Sequence, residues 1–172
     1  MSCELSDDAW EVVPLMREKN QPLILFKQYA REQIPRFFDE TFNRGKWNSG
    51  YITIPTGKPK HLILLVTLEK QDMMADHHYA DRFISGSEFQ WQSLNSTTQT
   101  STKGNQIRNH ASLGLTVHLF VRKTKKIGGR AAPFMYCGEI AFKTWEGEKP
   151  ITVQWKPKSV LPDRVKSVVM VG

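Results

Sequence analysis

The sequence predicts an α+β fold, with N-terminal helices followed by a curved, mainly antiparallel sheet or barrel. Three observations carry this. Helix-like patterning is confined to the first part of the 172 residues. Beyond it, runs of β-branched and aromatic residues recur at strand length. Those runs are separated by glycine or proline, which turn a chain sharply. The length suits one compact domain, and 40% hydrophobic content is enough to give it a core.

Residues 1–20 are mixed and capless; Trp10, Val12, Val13 and Leu15 define no element, so this stretch is set apart as an N-terminal segment. The domain is expected over 21–165, with 166–172 as a tail. Asn20 and Pro22 read as a helix start, with Leu23, Ile24, Phe26, Lys27 and Tyr29 ahead. Pro35 lacks an amide proton and should break or kink that helix near Gln33. A second short helix over 35–42 would present Phe37, Phe38 and Phe42 to a core, and Asn43 and Gly45 would stop it. Strands are then expected at 47–54, 61–68, 116–122, 133–143 and 150–156. Turns are expected at 56–59 and 127–130, and 70–87 reads as a loop holding a short helical or strand piece.

Charge is distributed unevenly. The chain carries 24 Lys and Arg against 17 Asp and Glu, yet residues 89–138 contain no acid at all. That window holds Lys103, Arg108, Arg122, Lys123, Lys125, Lys126 and Arg130, so the whole formal +7 resides there. An acid-free basic segment is the electrostatic footprint of a surface that meets a polyanion. At its head lie Phe89, Gln90, Trp91, Gln92, Ser93, Leu94 and Asn95, then hydroxyls at Ser96, Thr97, Thr98, Thr100, Ser101 and Thr102. Amides and hydroxyls beside cations suit phosphate and base-edge hydrogen bonding. Phe89 and Trp91 lie two apart, on one face of a strand. They fit either a base-stacking platform or the inward side of a core strand. The run Arg122-Lys123-Thr124-Lys125-Lys126 fits a solvated hairpin tip as well as a phosphate contact. His110 follows Arg108 and Asn109 with no neighbouring carboxylate to orient it, so a structural role outweighs a catalytic one.

Other chemistries find little support. Asp72, Asp76, His77 and His78 lack a metal-ligand spacing, and a small metallohydrolase built on Asp72, Asp76 and His78 is the weakest reading. No phosphate-loop or nucleophile motif is present, so a binding module without a cofactor is expected rather than an enzyme. Cys3 and Cys137 read as reduced thiols. No apolar run approaches the roughly 20 residues of a membrane helix. The acidic N-terminus lacks a signal-peptide pattern, so a cytoplasmic location without membrane contact is expected.

Several pieces occur in a telling order: Gly50, then Leu62-Ile63-Leu64-Leu65-Val66-Thr67-Leu68-Glu69-Lys70, the aromatic and polar run 89–98, Gly104, and His110. Leu119-Phe120-Val121-Arg122, Pro133-Phe134-Met135-Tyr136-Cys137-Gly138-Glu139 and Gly147-Glu148-Lys149-Pro150-Ile151 complete the set. Together, over residues 28–165, they resemble a bacterial domain family at the C-terminal end of restriction-linked helicase proteins. There the domain follows a phospholipase-D-type nuclease and a DEAD-box helicase. The resemblance implies the target-recognition module of SauUSI-type modification-dependent restriction proteins, which act on DNA bearing methylated cytosine. The sequence departs from that family's pattern at Gln90 (commonly histidine), Leu94 (commonly glutamine) and Gln99-Thr100 (commonly proline-glutamate).

The expected partners are double-stranded DNA carrying a modification and a nuclease or helicase effector in cis or in trans. Lys103, Arg108, Arg122, Lys123, Lys125 and Lys126 would contact phosphates. Trp91, with Phe89 or Tyr136, would line a cavity for a cytosine turned out of the stack. Gln92 and Asn95 would read its Watson–Crick edge beside Ser93, supported by Thr97, Thr98, Asn109 and His110. Alternatives are a reader of phosphorothioate backbones using Arg130, Pro133 and Phe134, and a basic module that docks an acidic protein.

Overall fold

The structure, a computed structural model, describes residues 22–69 and 81–170. It is an α+β fold built on one large mixed sheet. The strands are β1 (Gln28–Tyr29), β2 (Tyr51–Ile54), β3 (His61–Thr67), β4 (Arg82–Ser85), β5 (Glu88–Gln92), β6 (Thr116–Arg122), β7 (Lys126–Ile127), β8 (Arg130–Ala131), β9 (Phe134–Glu146) and β10 (Thr152–Pro157). The sheet runs β2-β3-β6-β9-β10-β5-β4, with β1 added to β9 and β7-β8 forming a separate hairpin. Pairing is antiparallel throughout the described residues except between β3 and β6. Among the described residues no helix is long and apolar enough to cross a membrane.

The continuous apolar run of β3 follows from burial on both faces. Because successive side chains point to opposite sides, Leu62, Leu64 and Val66 join Val117, Leu119 and Val121 of β6 in a front core. Phe89, Trp91, Val153 and Trp155 complete that core from the other end of the sheet. The alternate residues, Ile63, Leu65 and Phe120, enter a rear core with Phe134 and Tyr136, covered by Tyr29, Ile34 and Trp47 from the N-terminal part of the chain.

A bulge in β9 links the two cores. The register of β6 against β9 jumps from Leu119↔Gly138 to Phe120↔Tyr136, leaving Cys137 as the extra residue. Gly138 makes this possible with φ +90, a conformation other residues resist, and Cys137 turns into the front core. Burial pushes its thiol up to about 12.

Strands 61–68 and 116–122 form as the sequence predicts, and 127–130 is the glycine turn of the β7-β8 hairpin. The N-terminal helix does not. The free side of β9 beyond the bulge needs a partner, and β1 supplies it through Gln28↔Met135 and Tyr29↔Phe134. Backbone bonds from Phe26 N to the Tyr136 carbonyl and from Tyr136 N to the Lys27 carbonyl extend the pairing. A 3-10 helix, Arg31–Phe38, then runs through Pro35. Its three-residue repeat puts Ile34 and Phe37 on one side, the latter edge-on to Tyr29 at 5.1 Å. Asn43, expected to stop a helix, starts one instead: its side chain accepts from Lys46 N at the head of α1 (Arg44–Trp47). The hydroxyl-rich stretch hides α2 (Thr102–Arg108), and the C-terminal tail holds α3 (Asp163–Val169).

The rear core carries a chain of polar groups. His61 Nδ1 lies 3.1 Å from His118 Nε2, and His118 Nδ1 lies 3.0 Å from the Tyr136 hydroxyl. Phe38 packs edge-on against both imidazoles. Burial, and secondly His61 beside it, pulls His118 down to about 4, with Glu139 opposing and Lys158 assisting. Burial also lowers His61. An unfolded chain therefore binds more protons than the native one between about pH 6.5 and pH 4, so stability falls as pH drops through that window. The loss should reach about 3 kcal/mol from His118. Urea midpoints measured across the window for the native protein and for His118→Asn should show the steeper acid decline in the former. Equal slopes would contradict a neutral buried pair.

Candidate nucleic-acid interface

The sheet curls without closing, and its edge strand β2 meets β5, the strand next to the opposite edge, through side chains. Tyr51 opens the edge strand β2, Trp91 lies near the end of β5, and their rings are stacked at 6.3 Å with 24° between planes. Gly50 lets β2 hug its neighbour: its carbonyl accepts from Leu65 N, and a Cβ there would press on the Leu65 carbonyl at 3.0 Å. A cavity of about 350 Å³ occupies the open side at this seam. Such a volume lies at the lower end of small-ligand pockets. Its apolar walls are Tyr51, Trp91, Leu65 and Val66; its polar groups include Asp81, Gln92, Ser93, Asn48 and Arg31. Asp81 accepts from Gln92 N–H at 2.8 Å, which anchors the carboxylate in the wall. Ser93 Oγ accepts from Ile151 N and donates to the Leu94 carbonyl, so this hydroxyl holds the rim to the strand beside it.

Helix α2 buttresses the seam. Ser101 caps it by accepting from Gly104 N, and Ile107 enters the front core. The Tyr51 hydroxyl, kept protonated by burial, donates to Gln106 Oε1 at 2.7 Å. Lys103 Nζ stands 5.2 Å over the Tyr51 ring. The preceding loop is held as well. Gln99 N donates to Glu148, Gln99 Nε2 donates to the Gly147 carbonyl, and Lys149 N donates to the Thr97 carbonyl. His110 closes the far end: its Nε2 accepts from Phe142 N, leaving Nδ1–H for the Leu115 carbonyl.

A second cavity of about 250 Å³ adjoins the first, lined by Arg31, Asn48, Arg122, Lys125 and Lys126 among others. Arg31 and Asn48 belong to both. The guanidiniums of Arg31 and Arg122 approach one aromatic ring, Phe134, at 5.1 and 4.3 Å.

The sequence-derived residues separate into those the fold gathers and those it disperses. Trp91, Gln92 and Ser93 line the seam cavity; Arg122, Lys125 and Lys126 line its neighbour; Lys103 flanks Tyr51. Phe89 is fully buried against Phe83 and has no surface to offer a ligand. Tyr136 lies in the rear core, on the opposite side of the sheet from Trp91. Asn95 is exposed on the loop, Thr97 is buried, and Thr98 accepts from Ser101 through its carbonyl. Arg108 lies over Trp145, and Asn109 is occupied with Asn105. Lys123 faces Glu69 at 3.9 Å. Arg130 is exposed on β8, while Phe134 is sealed beneath the two guanidiniums. Asp72, Asp76 and His78 lie outside the described residues; among the described ones no three or more His, Cys, Asp or Glu cluster as metal ligands. Sequence reasoning missed Tyr51, Asp81, Arg31 and Asn48. Only Gly50 before Tyr51 hinted at a close approach.

Gly104 seats α2 against the backbone of Thr98 and Gln99, where any Cβ would collide with main-chain oxygen. Gly104→Ala should therefore lower stability by about 1–3 kcal/mol. It should also displace Lys103 and Gln106 from Tyr51, a change readable by thermal unfolding and tryptophan fluorescence.

A family model described as a domain of unknown function (DUF3427) matches residues 23–165. Among solved structures, the DNA modification-dependent restriction endonuclease AspBHI is similar with a TM-score of 0.55 at 14% identity, over 84% of this chain and 80% of that one. The DNA recognition domain of the cytosine modification-dependent restriction endonuclease LpnPI aligns with a TM-score of 0.47 at 12% identity, over 83% and 75% of the two chains. No curated protein matches the sequence.

Proposed function

The chain belongs to the DUF3427 family, and on that footing we propose that it is a reader of modified DNA, most specifically of methylated cytosine, for a restriction system. The observation that carries this reading is the seam cavity, with aromatic walls, one anchored carboxylate and cations on both flanks. The similarity in fold to a modification-dependent restriction endonuclease supports it.

A cytosine turned out of the duplex would enter between the ends of the sheet and lie against Trp91 and Tyr51. Asp81, held by Gln92 N–H, supplies the acceptor that suits the N4 amino donor of cytosine. Leu65 and Val66 offer apolar contact to a 5-methyl group. Burying that methyl stabilises by only about 0.8 kcal/mol, so discrimination against other bases comes from fit and from Asp81. Lys103, Arg122, Lys125 and Lys126 would hold the duplex through its phosphates. The protein acts as a binding module of the SauUSI-type arrangement, in the cytoplasm, and cleavage belongs to a nuclease or helicase effector in cis or in trans.

Matched duplexes carrying methylated, hydroxymethylated or unmodified cytosine, or a phosphorothioate linkage, test the reading by fluorescence anisotropy at fixed salt. The methylated duplex should bind tightest. Asp81→Asn should reduce the preference for cytosine by about 1–3 kcal/mol, with Trp91→Phe retaining the fold and weakening the modified complex. Equal affinity for methylated and unmodified DNA would remove the proposal, and a preference confined to the phosphorothioate duplex would replace it with backbone reading.

A further inference from the structure

The cavity beside the seam needs an account of its own. Arg31, at the start of the 3-10 helix, donates to the Trp47 carbonyl at 2.6 Å; Arg122, at the end of β6, donates to Thr67 Oγ1 at 2.8 Å and to the Ala132 carbonyl at 3.2 Å. These bonds fix both guanidiniums over Phe134. Lys125 and Lys126 line the same cavity, and Glu32 is the acid there. Among the described residues neither guanidinium forms an ion pair with a carboxylate. Desolvation lowers both groups; the Glu32 carboxylate opposes this at Arg31, while the proximity of Arg31 lowers Arg122 further. Two like charges held close and partly out of water are costly until an anion joins them. Rigid guanidinium forks match phosphate oxygens well.

We infer that Arg31 and Arg122, with Lys125 and Lys126, form a seat for one phosphodiester group of the strand whose modified nucleotide occupies the seam cavity. The inference rests on the base-reading function proposed above and adds the residues that fix register. Its geometric ground is that Arg31 and Asn48 line both cavities. A nucleotide joins base and phosphate covalently, so paired cavities sharing a wall suit one nucleotide and its linkage. Arg31 thereby becomes a positioning group that ties backbone docking to base capture, and Asn48 stands between the two.

Methylphosphonate scanning tests this with the unaltered protein. Each phosphodiester near the modified cytosine is replaced, one at a time, by the uncharged linkage, and duplex affinity is measured. One or two linkages next to the modified nucleotide should cost about tenfold or more, and Arg31→Gln should abolish that sensitivity. Should Arg31→Gln not fold by circular dichroism, the exposed double variant Lys125→Ala/Lys126→Ala decides. It should blunt the same linkages and reduce the salt slope by about 1–2. A flat methylphosphonate profile, or one unchanged in the variants, overturns the seat. Competition by an acidic peptide with no linkage dependence would do so too, pointing to a protein partner. If a local linkage effect persists while methylated and unmodified duplexes bind equally, the seat stands and the base-reading proposal fails.

Discussion

The contact between Tyr51 and Trp91 is the constraint on which the site depends. A sheet of seven strands in one path has two ends, and right-handed twist curls it without forcing those ends to pair. Here the edge strand β2 and β5, the strand next to the other edge, touch through two rings, with no ladder of hydrogen bonds between them among the described residues. The result is an opening walled by aromatic surface, which a closed barrel would have filled with side chains. Helix α2 keeps the opening from collapsing, through Gln106 at the Tyr51 hydroxyl and Lys103 above its ring.

The two cores divide the work. The front core carries Trp91, Trp155 and Ile107, and so sets the position of the seam. The rear core carries Tyr136, His118 and Phe134, and so sets the position of the cations that lie over Phe134. The bulge at Cys137 and Gly138 sends adjacent stretches of β9 into these two cores. One strand thus aligns the seam with the cations over Phe134.

Much of the sheet was legible because strands buried on one or both faces leave a local signature. His61–Thr67 and Thr116–Arg122 are runs of strand length with β-branched residues and clear ends. The N-terminal part was not legible. Its apolar residues fit a helix locally, but β9 had a free side to pair and tertiary demand overrode propensity. The basic segment and Trp91 were visible as composition and pattern. Phe89 shares Trp91's face of β5 and both are buried in the front core, yet only Trp91 reaches the cavity wall, a difference set by neighbours in space. Arg31, the neighbouring Asn48 and Tyr51, and Asp81 come from three distant parts of the chain, so no local pattern could bring them together. Asp81 closes a stretch whose acids and histidines drew attention to metals.

The seam also has a place in the order of folding. Tyr51 and Trp91 are far apart in sequence and sit near opposite ends of the strand path. Their meeting requires the intervening strands to be in register already, so loop-closure entropy places it late in assembly. By the same logic it is an early place for the native state to loosen, and its amides should exchange ahead of those in β6 and β9. A nucleotide seated there would slow that exchange, so occupancy would be written into the breathing of the whole molecule.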